Sequence, residues 1–187
     1  MLKSVTIAIR LSLVLMLICG VVYPLVTTGV AQAVFHDKAN GSLVESGGKV
    51  IGSELLGQKF DSPKWFHSRP SAGDYDAAAS TGSNRAVASS EYAKEMKEKI
   101  ASLYKENPGL QSVPADLVTA SGSGLDPDLS PEGAKAQIPR VSKETGISEQ
   151  QLNRLIDDHT TGRQLGVFGE PRVNVLELNQ ALLSEMK

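Results

Sequence analysis

The sequence predicts an α+β protein: one N-terminal transmembrane helix followed by a small, mainly helical soluble domain with few short strands. Three observations carry that expectation. Residues 11–35 run for 25 positions without Asp, Glu, Lys, Arg or His. From residue 36 onward, Leu, Ile, Val and Phe supply only 32 of 152 positions, about 21%, just above the level at which composition suggests disorder. Beyond the apolar run, apolar side chains recur mostly at helical spacing behind capping residues, and strand-like runs are rare. The 41% apolar content of the whole chain averages two unlike parts.

The expected organisation is a cytoplasmic N-terminus (1–10), a membrane helix (11–35), a linker (36–48) and an extracytoplasmic domain (49–187). A helix of 25 residues reaches about 37 Å, enough to cross a hydrocarbon core of about 30 Å with some tilt. Tyr23 offers an amphipathic ring, and Pro24 lacks a donor. The pair predicts a kink packed against another helix or lying near the interface, so both are candidates for partner contact. A cleaved signal peptide with an Ala31-Gln32-Ala33 site competes with the retained helix. Against it, 11 residues separate Val22 from that site, and Leu25, Val26, Val30 and Val34 keep the stretch apolar. Ile18 before Cys19 is too large for a lipoprotein cleavage signal. Lys3 and Arg10 precede the span and Lys38 follows it, which places the N-terminus in the cytoplasm and the domain outside. An external domain without a disulfide framework is ordinary for a bacterial protein.

Ala39–Lys49 is Gly- and Ser-rich and reads as linker. Lys49-Val50-Ile51 is a short strand, and Ser53 to Leu56 a capped turn stopped at Gly57. Asp61–Asn84 holds Pro63, Pro70, Gly73 and Gly82 and reads as a long extended loop. A helix opens at Ser89 or Ser90, with Tyr92, Met96, Ile100 and Leu103 on one face, and ends at Asn107-Pro108-Gly109. Pro114 to Leu117 makes a helical turn, with Val118-Thr119-Ala120 as a strand end. Ser130 caps the next helix, which Pro139 splits before Gly146 ends its second piece. Ser148 and Gln151 form a capping box for a stripe of Leu152, Leu155, Ile156 and His159. Asn174 starts a C-terminal helix through Leu178, Leu182 and Leu183.

Seventeen basic against 21 acidic residues after position 35 give a net charge of −4, which argues against a nucleic-acid binder. Walker A, P-type phosphorylation and potassium-filter motifs do not occur in the sequence. His36, His67 and His159 lack ligand-type partners at helical spacing, so neither a catalytic residue nor a metal site is assigned. The densest special segment is Val113–Pro131. Its Ser121-Gly122-Ser123-Gly124 turn followed by a helix start suits an anion nest. No Lys or Arg completes the nest and Asp126 and Asp128 repel phosphate, so a tight turn bonded to its own serines is favoured over a protein-contact loop, and both over an anion site. Trp65-Phe66-His67 reads as a local core under the long loop or as a contact patch.

The run Val113–Pro131 closely resembles the signature of the C chain of bacterial potassium-transporting ATPases (KdpC). The similarity continues through Gly20–Leu25, Gly52–Leu55, Gly57-Gln58, Trp65–Ser71, Ser80–Asn84, Gln137–Val141 and Gly169–Leu176. Ser68, where glycine is common, and Asp74-Tyr75-Asp76 are mild departures. The resemblance implies a non-catalytic accessory subunit of an ATP-driven, high-affinity potassium importer in the plasma membrane. Its partners would be a channel-like potassium-binding subunit, a P-type ATPase subunit and a small membrane peptide. The family is described as a catalytic chaperone that raises the ATP affinity of the pump subunit. ATP is then a shared ligand rather than a tightly bound cofactor, with Ser121, Ser123 and Gln137 as nucleotide candidates. The alternative is an outer cover over the potassium entrance without nucleotide contact. Tyr23, Pro24, Trp65, Phe66 and Arg69 are the partner-contact candidates.

Overall fold

A computed structural model describes residues 2–186. It is an α+β chain in two compact units, divided between Ile51 and Gly52.

The first unit is dominated by one apolar helix of 33 residues, Leu2–Val34, none of it buried. It consists of α1 (Leu2–Leu17), a π turn (Ile18–Val22) and α2 (Tyr23–Val34). The π turn is the local answer to Pro24, whose ring collides with the carbonyl four residues back in a regular α-helix and which has no N–H to donate. The Tyr23 N–H reaches five residues back to the Ile18 carbonyl, and Thr27 Oγ1 donates to the Tyr23 carbonyl. The disturbance expected at Pro24 is therefore absorbed by a wider turn, and the helical run continues through it. Segment 36–48, expected as plain linker, is structured. It holds α3 (His36–Ala39) and β1 (Leu43–Ser46), and β1 pairs with β2 (Lys49–Ser53) across Gly47-Gly48. Both glycines have positive φ (59° and 75°), as a two-residue hairpin turn requires.

In the second unit, α4 spans Ser90–Glu106, and Ser89 Oγ accepts from the Tyr92 N–H. The stripe Tyr92, Met96, Ile100 and Leu103 faces the domain but is only half covered, and Leu103 packs on the main core. Val118–Ala120, expected as a strand end, is irregular: Thr119 turns back to bond the Ala115 carbonyl with both its N–H and its hydroxyl. Three short strands form one antiparallel sheet in the order β3 (Asp128–Leu129), β5 (Arg172–Asn174), β4 (Thr160–Thr161). Helices α5 (Pro131–Lys135), α6 (Ile138–Thr145), α7 (Glu149–Asp158) and α8 (Val175–Glu185) surround it. Their caps are local: Ser130 for α5, the Ser148–Gln151 box for α7, and Asn174 for α8. Gly146, at φ 76°, ends α6 in the left-handed conformation that glycine adopts without strain.

One core runs through this unit, formed by Phe66, Leu129, Ile138, Val141, Leu152, Ile156, Val173, Val175, Leu178 and Leu182 with smaller neighbours. The connection from β4 to β5 projects as a second small hairpin. The Gln164 N–H donates to the Phe168 carbonyl (2.8 Å) and the Phe168 N–H to the Gln164 carbonyl (2.9 Å). Within it, the Val167 N–H closes a turn on the Gln164 carbonyl, and the two central residues of that turn, Leu165 (φ 53°) and Gly166 (φ 75°), are both left-handed. For a leucine that conformation costs about 1 kcal/mol or more. Among the described residues, five non-glycine positions have positive φ, and Leu165 is the one aliphatic side chain of these.

Candidate functional site

Between the long loop and the helices lies a buried polar knot. Gln137 precedes α6, and Gln137 and Arg140, three apart, place both side chains inward beside Ile138 and Val141. Gln137 Oε1 accepts from the His67 N–H (2.8 Å) and from Arg140 Nη2 (2.6 Å). Its Nε2 donates to the carbonyls of His67 (3.2 Å) and Gly133 (3.3 Å). Arg140 also donates to Asn107 Oδ1 (3.2 Å), the Trp65 carbonyl (2.9 Å) and the Pro63 carbonyl. From α8, Asn179 Oδ1 accepts from the Phe66 N–H and Nδ2 donates to the Phe66 carbonyl, both at 2.9 Å. Side chains thus supply the backbone partners that a neighbouring strand would otherwise provide for residues 63–67.

The electrostatics follow from this packing. Arg140 is buried, its recorded acceptors are neutral oxygens, and burial pushes its pKa down against the attraction of Glu106 and Glu144. Burial, aided by the Arg140 charge, holds His67 below the ordinary histidine value. An open cleft of about 660 Å³ adjoins the knot. Apart from Arg140, which is turned into the knot, its charged lining pairs opposite signs along the chain, Lys59 with Asp61, Lys105 with Glu106, and Lys143 with Glu144. That alternation is unlike the convergent positive field of a phosphate site.

The serine turn is a separate construction. Ser121 Oγ accepts from the Gly124 N–H (2.8 Å) and Ser123 Oγ from the Leu125 N–H (3.1 Å). The Ser123 carbonyl takes the Thr81 N–H (2.8 Å) and Ser80 Oγ (3.1 Å), so the turn fastens the long loop. Gly124 has φ 68°, and a Cβ there would lie 2.6 Å from the Thr81 carbonyl oxygen, so glycine is required for both reasons. Two of the amides that an anion nest would use are therefore bonded within the turn. Ser121 and Ser123 belong to this set and Gln137 to the knot; their hydrogen bonds do not join them into one site.

Arg69 clamps the same turn, with Nη1 on Asp126 Oδ2 (3.0 Å) and Nε on the Thr119 carbonyl (3.2 Å). The Tyr75 hydroxyl donates to the Arg69 carbonyl (2.8 Å), and burial pushes that phenol up to about 12. Phe66 is fully buried in the main core, so neither a satellite core nor a contact patch describes it. Trp65 is half-buried against that core, with Lys64 Nζ 4.7 Å from its ring centroid. Tyr23 and Pro24 lie on the unburied apolar helix. Arg140, Asn107 and Asn179 are not among the site candidates that the sequence offers. Their signal was polarity on a buried face: Asn179 stands four residues after Val175 and three before Leu182.

The model of the family described as KdpC, K+-transporting ATPase, c chain, matches residues 5–184. A "Potassium-transporting ATPase KdpC subunit" of Caldanaerobacter subterraneus subsp. tengcongensis is 49% identical over 181 residues, 96% of this chain and 94% of the relative. Proteins of the same description from Bacillus cereus and Bacillus anthracis are 48% identical over 182 residues, with the same coverage.

Proposed function

This chain belongs to the KdpC family of K+-transporting ATPase c chains, and on that premise we propose that it is the non-catalytic, docked accessory subunit of a high-affinity potassium import complex. The helix Leu2–Val34 holds it in the bacterial plasma membrane beside the channel-like and P-type ATPase subunits and the small membrane peptide. The N-terminus is cytoplasmic and the domain after residue 48 is outside. The observation that carries this reading is a 33-residue apolar helix with no side chain buried within its own chain. Such a surface needs lipid and partner helices.

With the domain outside, cytosolic ATP is beyond its reach. Its effect on the ATP affinity of the pump is a coupling free energy transmitted through the membrane subunits, typically about 1–3 kcal/mol or roughly 5- to 150-fold. The internal bonding of Ser121, Ser123 and Gln137 favours this indirect route over direct nucleotide contact. Removal of residues 2–34 is expected to release a soluble domain that no longer co-purifies with the complex. An intact complex containing the truncated chain would overturn the proposal.

A further inference from the structure

The hairpin tip between β4 and β5 combines exposure with a conformation that the chain gains nothing from by itself. Leu165 is 90% exposed, Val167 70% and Phe168 64%, three large apolar side chains within four positions. The other large exposed apolar residues described after residue 52 are scattered: Leu55, Val87, Tyr104, Leu183 and Met186. The tip is also closed by its own bonds. The paired bonds between Gln164 and Phe168 close it, the Val167 N–H donates to the Gln164 carbonyl (3.1 Å), and Arg163 bonds Glu170 at 2.6 Å across its base. Leu165 occupies the first of two left-handed positions, where Asn or Gly sits without strain. A strained leucine aimed into water is explained when its side chain is used outside the chain.

We propose that Leu165, Val167 and Phe168 form a preformed knob that inserts into an apolar pocket on the outer face of another protein subunit of the same complex. The proposal rests on the docked-subunit reading above. Three observations select a protein pocket as the occupant. A single locked shape suits a complementary cavity, whereas a bilayer demands none. The arginines flanking the tip are already engaged, Arg163 with Glu170 and Arg172 with Asp128 at 3.0 Å. With a net charge of −4 after residue 35, the chain does not complement anionic headgroups. Two such tips meeting each other would bury far less than the roughly 1,200 Å² that a stable pair needs. In a complex already tethered by the membrane helix, a contact this small is sufficient, because tethering raises the effective concentration.

The test uses the full chain expressed with its partner subunits and purified through a tag on this chain. Leu165→Asn and Phe168→Ser are each measured for retained partner protein after detergent washing and for the thermal midpoint of the purified chain. Leu165→Asn relieves the turn, so it is expected to raise the midpoint while lowering partner retention; opposite signs separate docking from folding. The double variant is expected to lose at least about ten-fold in retention, from the burial of two large apolar side chains. A photoreactive phenylalanine analogue at Phe168 is expected to cross-link to a partner subunit. Adducts to lipid alone, adducts to a second copy of this chain, no adduct, or full retention by the double variant would each overturn the knob. If the unaltered chain itself fails to retain partners, the docked-subunit reading fails instead.

Discussion

Replacing Gln137 by leucine preserves volume and removes every polar contact that the side chain makes. Four hydrogen bonds disappear: to the His67 N–H, the His67 carbonyl, the Gly133 carbonyl and Arg140 Nη2. The bond to the guanidinium is charge-assisted and contributes about 1.5–3 kcal/mol; the three neutral ones contribute about 1 kcal/mol each. Water from the adjoining cleft offsets part of the sum, so the expected loss is about 4 kcal/mol, a large share of the roughly 5–15 kcal/mol of a typical domain. For a domain of this size each kcal/mol shifts the midpoint by roughly 3–4 °C, so the fall should be about 12–16 °C. The assay is thermal unfolding of the full chain in detergent, followed by fluorescence of Trp65, the one tryptophan in the sequence, whose carbonyl is held by Arg140. Gln137→Glu keeps the acceptors for Arg140 and the His67 N–H but turns a carboxylate oxygen toward the His67 and Gly133 carbonyls where the amide donated, while its charge strengthens the bond to Arg140, so it should destabilise, by less than leucine. A leucine variant within about 2 °C of the parent, far inside the shift expected from size scaling, would refute the structural role. Unchanged stability with lost coupling in the complex would reassign Gln137 to ligand contact.

The midpoint should also depend on pH through His67. Its folded-state pKa lies below the ordinary 6.5, chiefly through burial, so as pH falls the unfolded chain takes up the proton first. This stabilisation is complete above about pH 6.5 and is lost as pH falls through the folded-state value, by at most about 1.4 kcal/mol per pH unit. His67→Gln should flatten that limb in melts recorded from pH 7.5 to 5, and an unaltered slope would exclude His67 as its source. Gly124→Ala combines a left-handed alanine with a 2.6 Å approach to the Thr81 carbonyl oxygen. It should cost roughly 2–4 kcal/mol and open residues 80–89 to protease, and wild-type proteolysis would contradict the fastening role. Phe66→Ala should cost about 3–5 kcal/mol in the same melts, because the ring is fully buried among core residues.

Local chemistry made the helices legible. Ser89, Ser130, Ser148 and Asn174 each cap within three residues, so their signal lies in one window of sequence. Strands of two or three residues, such as Asp128–Leu129 and Thr160–Thr161, have no period to read, and their pairing depends on partners more than ten residues distant. The hairpin that begins in the expected linker and pairs with the expected strand at Lys49-Val50-Ile51 did carry a cue, Gly47-Gly48 between Leu43-Val44 and Val50-Ile51, but the surroundings of its first strand are polar enough to pass for coil. The candidate site was legible only in part. The sequence offers Gln137 only as a nucleotide candidate, and its bond to the His67 N–H spans 70 positions. Asn179 meets Phe66 across 113 positions, a distance that no local pattern encodes.

The lean composition after residue 35 follows from how the long loop is held. Residues 54–89 contain no helix or strand, and a compact domain cannot leave so much backbone unpaired. Here side chains provide the pairing: Gln137, Arg140 and Asn179 for residues 63–67, and Arg69 with the serine turn for residues 69–82. Arg140 and Asn179 occupy helix positions, and Gln137 a helix cap, that apolar residues would otherwise fill, which lowers the aliphatic fraction without loosening the structure. Such a network is cooperative, because a single deletion leaves several buried groups unsatisfied at once. A loop fixed in this way keeps one shape without a sheet beneath it.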